Sequence, residues 1–142
     1  MKKVLLVGVF DMFHFGHLRL LKRASQLGDY LIVAIQSSDA INKYKSSHGV
    51  TKTLYSHEER VEMIRALRCV DEIISYSDVG VDIKNIDFDI FVKGPDQVHS
   101  GFVVATKWCE ENGKEVVIIP RTEGISSTYL KRIIEDLEVK ND

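Results

Sequence analysis

Five short runs of Val, Ile, Leu and Phe recur along the chain, and helical patterns fill the intervals between them. The runs are residues 3–9 (KVLLVGV), 30–36 (YLIVAIQ), 70–75, 88–92 (FDIFV) and 115–119 (EVVII). Near-continuous apolar stretches of five to seven residues suit strands of a parallel sheet covered on both faces, not the alternating pattern of a half-exposed one.

Between them, Leu20, Leu21, Ala24 and Leu27 keep helical spacing over 17–28, with Gly28 as the expected C-terminal stop. Ser56 followed by Glu59 predicts a capping box, continued by Val61, Ile64 and Leu67 or Arg68. A further helix is expected over 100–112, ended by Gly113. The last is capped by Ser126 or Ser127 and carries Leu130, Ile133, Ile134 and Leu137 on its apolar face. Strands alternating with helices imply right-handed βαβ units. The expected architecture is a single domain over 1–142, a Rossmann-like doubly wound parallel sheet of about five strands with helices on both faces. Such sheets bind ligands beyond the carboxyl ends of their strands, here the loops after Val9, Gln36, Val92 and Ile119. The longest polar connection, 37–55, follows the second strand, and a loop of that length is usually functional.

Composition narrows the function by exclusion. A chain of 142 residues can bury a core without disulfides or a structural metal. A net charge of −2 gives no sign of nucleic acid or an anionic membrane as partner. Cys69 and Cys109 belong to no metal pattern and read as small buried hydrophobes. The basic, apolar start MKKVLLVGVF breaks at Asp11 without a small-residue cleavage site, so it reads as a first strand, not a signal peptide. No stretch approaches a membrane span, and a cytoplasmic location is expected.

The first strand runs into Gly8-Val9-Phe10-Asp11-Met12-Phe13-His14-Phe15-Gly16-His17. This is neither GxGxxG nor a GK[ST] phosphate loop. Two histidines flank a glycine where a strand gives way to a helix. A helix N-terminus offers free N–H groups and positive potential, Gly16 allows close approach, and two imidazoles add donors suited to phosphate oxygens. His48, His57 and His99 read as surface or capping residues.

The segment His14-Phe15-Gly16-His17 resembles the HxGH signature of the nucleotidyltransferase superfamily of that name. Arg121-Thr122-Glu123-Gly124-Ile125-Ser126-Ser127-Thr128 closely resembles a second signature, found in bacterial glycerol-3-phosphate cytidylyltransferases. Arg68-Cys69-Val70-Asp71-Glu72 extends the similarity, which covers nearly the whole chain. The resemblance implies transfer of CMP from CTP to a small phosphorylated acceptor with release of pyrophosphate. It gives catalytic roles to His14, His17, Lys45 and Arg121. Nucleotide contacts fall on Gly8, Val9, Phe10, Gly16, Arg121, Thr122, Gly124, Ile125, Ser126 and Ser127. Acceptor contacts fall on Asp11, Lys43, Arg60, Arg68 and Asp96, the two arginines standing near the acceptor or a subunit contact. Mg²⁺ is expected on the triphosphate, held mostly through waters with no protein metal site, and a homodimer is implied.

The chain departs from that pattern on the acceptor side. Ser77-Asp78-Val79-Gly80-Val81-Asp82 lacks the family's Trp and Lys, Gly94-Pro95-Asp96 stands for Gly-Asp-Asp, and the 37–55 loop is longer. Glycerol 3-phosphate is thus one candidate among small polar phosphates. Two rival readings are an adenylyltransferase of the same superfamily and a non-catalytic module that binds CTP without releasing pyrophosphate.

Overall fold

The computed structural model describes residues 1–40, 53–120 and the helix 127–141. Five strands form one parallel sheet: β1 (Lys3–Gly8), β2 (Tyr30–Gln36), β3 (Glu72–Tyr76), β4 (Ile90–Lys93) and β5 (Glu115–Ile118), in the order β3-β2-β1-β4-β5. The helices are α1 (Phe15–Ser25), α2 (His57–Arg65), α3 (Val79–Asp82) with a 3₁₀ turn behind it, α4 (Ser100–Glu111) and α5 (Ser127–Asn141). The order reverses at β1: the chain first winds outward to β3, then returns to place β4 on the other side.

Strand residues alternate between two faces, and each face has its own core. Val4 and Leu6 of β1 join Leu21 and Ala24 of α1 and Ile64 of α2 in one cluster. Leu5 and Val7 join Val79 of α3 and Phe102, Ala105 and Cys109 of α4 in the other. The central strands therefore see no water on either side, which explains their unbroken apolar runs. The doubly wound sheet expected from the sequence is what forms, with boundaries shifted by a residue or two.

Capping explains most helix limits. Ser56 and Glu59 make the reciprocal capping box of α2. α4 ends through the Lys114 N–H donating to the Cys109 carbonyl (2.8 Å), with Gly113 at φ +70° as the left-handed residue this requires. Gly28 acts differently from the expected left-handed stop. A Cβ there would lie 2.6 Å from the Lys2 carbonyl oxygen, because the chain entering β2 is hydrogen-bonded to Lys2. The helix α3 was not legible beforehand: it has four residues, too few to show a period, and is set by Asp78 accepting from Gly80 N–H.

Candidate active site

The turn between β1 and α1 is built around two reciprocal caps. His14 is the N-cap of α1, and its Nδ1 accepts from the Gly16 N–H (3.0 Å). His17, three residues on, accepts at Nδ1 from the His14 N–H (3.2 Å). Capping boxes normally pair Ser or Thr with Glu or Gln; here both members are imidazoles. Their spacing of three is therefore a helix-start spacing. Because each Nδ1 is an acceptor, each neutral ring carries its hydrogen on Nε2. The rings stack with centroids 3.9 Å apart, so two Nε2–H donors stand side by side at a helix N-terminus.

Packing fixes that pair. Phe13 stacks on the His17 ring and Phe10 meets it edge-on. Phe10 is buried although its φ is +56°, and Met12 follows at +49°. Such conformations are costly for non-glycine residues and persist only where their surroundings enforce them. Gly8 makes room for this ring: a Cβ there would stand 3.0 Å from Phe10 Cε2. Burial first, then the neighbouring His14, lowers the His17 pKa to about 4, so the ring is neutral near pH 7.

The loop is held from outside by two charged groups. Arg60 is fully buried, and its guanidinium donates to the carbonyls of Val9 (2.9 Å), Gln36 (2.8 Å) and Tyr55 (3.3 Å) and to Ser38 Oγ (3.0 Å). Burial lowers its pKa, opposed by the charge of Asp11. Asp11 accepts from the N–H groups of Leu54 (2.9 Å) and Tyr55 (3.0 Å) and from Lys131 Nζ (3.1 Å). Burial works against the Asp11 charge, but these donors outweigh it and hold the carboxyl below its usual range. Beyond β4, Gln97 Nε2 donates to the Val7 carbonyl (3.1 Å) and so clips the Gly94–Gln97 turn over the end of β1.

The structure sorts the expected site residues. His14, Gly16 and His17 come together at the switch point beside Val9 and Phe10. Asp11 and Arg60 lie next to them, but the hydrogen bonds above commit them to the backbone and to Lys131; both act on the shape of the loop. Asp96 is exposed on the turn after β4, at the same edge of the sheet. Arg68 is placed apart from them. It follows α2, which runs back against the strands, and the chain just after it bonds to Leu31 at the start of β2. It therefore sits at the amino edge of the sheet, about 15 Å along β2 from the crevice. Lys43, Lys45, Arg121, Thr122, Gly124, Ile125 and Ser126 lie outside the described residues, and Ser127 is described only as the first residue of α5. Gln97 and Lys131 were missed by sequence reasoning, since both matter only through partners distant in the chain. Among the described residues, no group of three or more His, Cys, Asp or Glu side chains is disposed to hold a metal ion. No helix there is long and apolar enough to cross a membrane.

Comparison with known proteins finds relatives over nearly the whole chain. A family model described as cytidylyltransferase-like matches residues 5–133. The glycerol-3-phosphate cytidylyltransferase of Bacillus subtilis (strain 168) is 42% identical over 140 residues, covering 96% of this chain and 100% of that protein. The enzyme of the same name from Staphylococcus aureus (strain NCTC 8325 / PS 47) is 37% identical over 143 residues, covering 99% and 100%. The crystal structure of the lipopolysaccharide core biosynthesis protein from Thermoplasma volcanium GSS1 superposes with a TM-score of 0.66 at 27% identity, covering 86% of this chain and 97% of that one.

Proposed function

The chain belongs to the cytidylyltransferase-like family and is a CTP-using cytidylyltransferase; on that premise we propose that it joins CMP to glycerol 3-phosphate or a related polyol phosphate. The paired Nε2–H donors of His14 and His17 carry this reading. An acceptor phosphate oxygen attacks the α-phosphorus of CTP and forms the new P–O bond. The bond from the α-phosphorus to the bridging oxygen breaks, and its electron pair leaves with pyrophosphate. The acceptor brings its own nucleophile, so the protein's work is alignment and charge stabilisation.

His14 and His17 hydrogen-bond the α- and β-phosphate oxygens as negative charge grows on them. Neutral rings suffice, because each is already oriented as a donor. Lys45, Arg121 and the residues through Ser127 hold the β- and γ-phosphates, and Lys43 and Asp96 serve the acceptor. Mg²⁺ enters with the triphosphate and is held by phosphate and water. A homodimer working in the cytoplasm belongs to the same reading.

Pyrophosphate release tests it, with Mg²⁺, each of the four nucleoside triphosphates and a panel of phosphorylated acceptors. Release with CTP and a polyol phosphate is expected. Release with ATP alone would move the chain to adenylyl transfer. Tight CTP binding with no release across the panel would make it a non-catalytic module.

A further inference from the structure

The switch point of the sheet lies between β1 and β4, where the strand order reverses, and the crevice of such a sheet opens there. The two strands pair in register up to Leu6 opposite Val92. One step further, a continued parallel ladder would have the Gly94 N–H donate to the Val7 carbonyl. That bond is not made. The Gly94 N–H donates instead to Oε1 of Gln97 (2.9 Å), and Nε2 of Gln97 donates to the Val7 oxygen (3.1 Å). A side-chain amide is thus inserted between the two strand ends. It satisfies both groups and holds them farther apart than the ~2.9 Å of a ladder bond.

The local sequence prepares this spacer. Residues 94–97 form a turn closed by the Gln97 N–H on the Gly94 carbonyl (3.2 Å), with Pro95 at the second position, where its fixed φ is favoured. The Gln97 side chain returns a bond to the first N–H of the same turn, so its amide is oriented before it meets β1. Its two ends are told apart by their partners, since Gly94 supplies a hydrogen and Val7 accepts one. Gly94 marks what the spacing serves. Its φ is not in the left-handed region, and a Cβ added there would meet no described atom within 4 Å. Neither conformation nor packing among the described residues requires glycine here. It leaves bare backbone beside the crevice, which suits close approach of a ligand.

We propose that Gln97 is a positioning residue for CTP: its amide holds the exits of β1 and β4 apart, and the nucleotide lies in the gap against the Gly94 backbone. The proposal deepens the function above and rests on its use of CTP. Val7 leads into the turn that carries His14 and His17, and Gly94 leads into Asp96. The amide therefore also sets the spacing between those two groups.

The test compares wild type with Gln97→Met, Gln97→Glu and Gly94→Ala by calorimetric titration with CTP and Mg²⁺, thermal melts and pyrophosphate release. Without the amide, the Gly94 N–H is free to reach Val7 and extend the ladder by one rung. Gln97→Met should therefore melt within about 3 °C of wild type, while its Kd for CTP rises at least about 10-fold. Gln97→Glu keeps the shape of the side chain. At about pH 8 its carboxylate cannot donate to Val7, and CTP binding should be weak; at about pH 5 the protonated acid restores both bonds. The ratio of its Kd to that of wild type should fall toward one over that range. Gly94→Ala should melt no lower than wild type and bind CTP at least about 10-fold more weakly. A merely structural Gln97 predicts the reverse, a Gln97→Met that melts well below wild type and, when folded, binds CTP within about twofold of it. That result overturns the proposal, as does a pH-independent ratio for Gln97→Glu or normal CTP binding by Gly94→Ala. If Gln97→Met does not fold, the other two variants decide. Wild type that binds CTP, loses it in these variants and yet releases no pyrophosphate with any acceptor would refute the transfer reaction and leave the spacer standing. Wild type that binds no CTP overturns both.

Discussion

His14 divides two tasks between its two ring nitrogens. Nδ1 caps α1, and Nε2 carries the hydrogen of the neutral ring. Asparagine can perform the first task and not the second. His14→Asn should therefore keep its thermal midpoint while kcat falls about 10²–10³-fold, the usual cost of removing one oxyanion donor. His14→Ala should show the same kinetic loss and lose about 1 kcal/mol of stability as well. Calorimetric melts beside steady-state kinetics would separate the two; near-normal turnover in either variant would remove His14 from the chemistry. His17 adds a pH dependence. Its folded pKa of about 4 lies below the free value of 6.5, so the unfolded chain takes up its proton first as pH falls. Stability from this group is complete above pH 6.5 and declines steadily toward pH 4. Between pH 7.5 and 5 wild type should lose up to about 2 kcal/mol through His17. His17→Gln should lack that component in urea unfolding at the two pH values.

At the scale of elements, the crevice exists because α2 reaches back under two strands. Arg60 ties the exit of β1 at Val9 to the exit of β2 at Gln36, and also holds Tyr55 and Ser38. Arg60→Met would leave three carbonyls and a hydroxyl short of donors inside the protein, at about 1–3 kcal/mol for each group that water cannot reach. A drop of at least about 3 kcal/mol in urea unfolding is expected, with only part restored by Arg60→Lys. An acceptor-binding Arg60 predicts the opposite signature, a raised acceptor KM at unchanged stability. This residue shows where sequence reasoning stops. Its position before an apolar helical face was plain, yet nothing local says that its guanidinium points inward to carbonyls 24 and 51 residues away.

For the whole molecule, the chain's two ends meet at the site. Lys131 of α5 bonds Asp11, 120 residues earlier, while Asp11 also fixes Leu54 and Tyr55. With the Asp11 side chain 5% exposed and that of Lys131 26%, this pair is shielded better than a surface bridge. Lys131→Met should speed amide exchange over 130–138 and leave β1 unaffected. Asp11→Ala should loosen both α5 and residues 54–55, because it removes two backbone caps in addition to the ion pair. Equal exchange in wild type and Lys131→Met would show that α5 docks without this contact. The strands, the helix starts at Ser56 and the two-histidine turn were legible in the sequence because each depends on neighbours three or four residues away. Burial on both faces also leaves a mark in composition, an unbroken apolar run. The sequence alone therefore determined a doubly wound parallel sheet and a two-histidine turn at the end of its first strand. Tertiary structure decided that Asp11 and Arg60 spend their charges on distant groups of the protein itself, and that Arg68 stands at the far edge. Each of these is settled by contacts between residues remote in the chain, and such contacts leave no period or spacing to read.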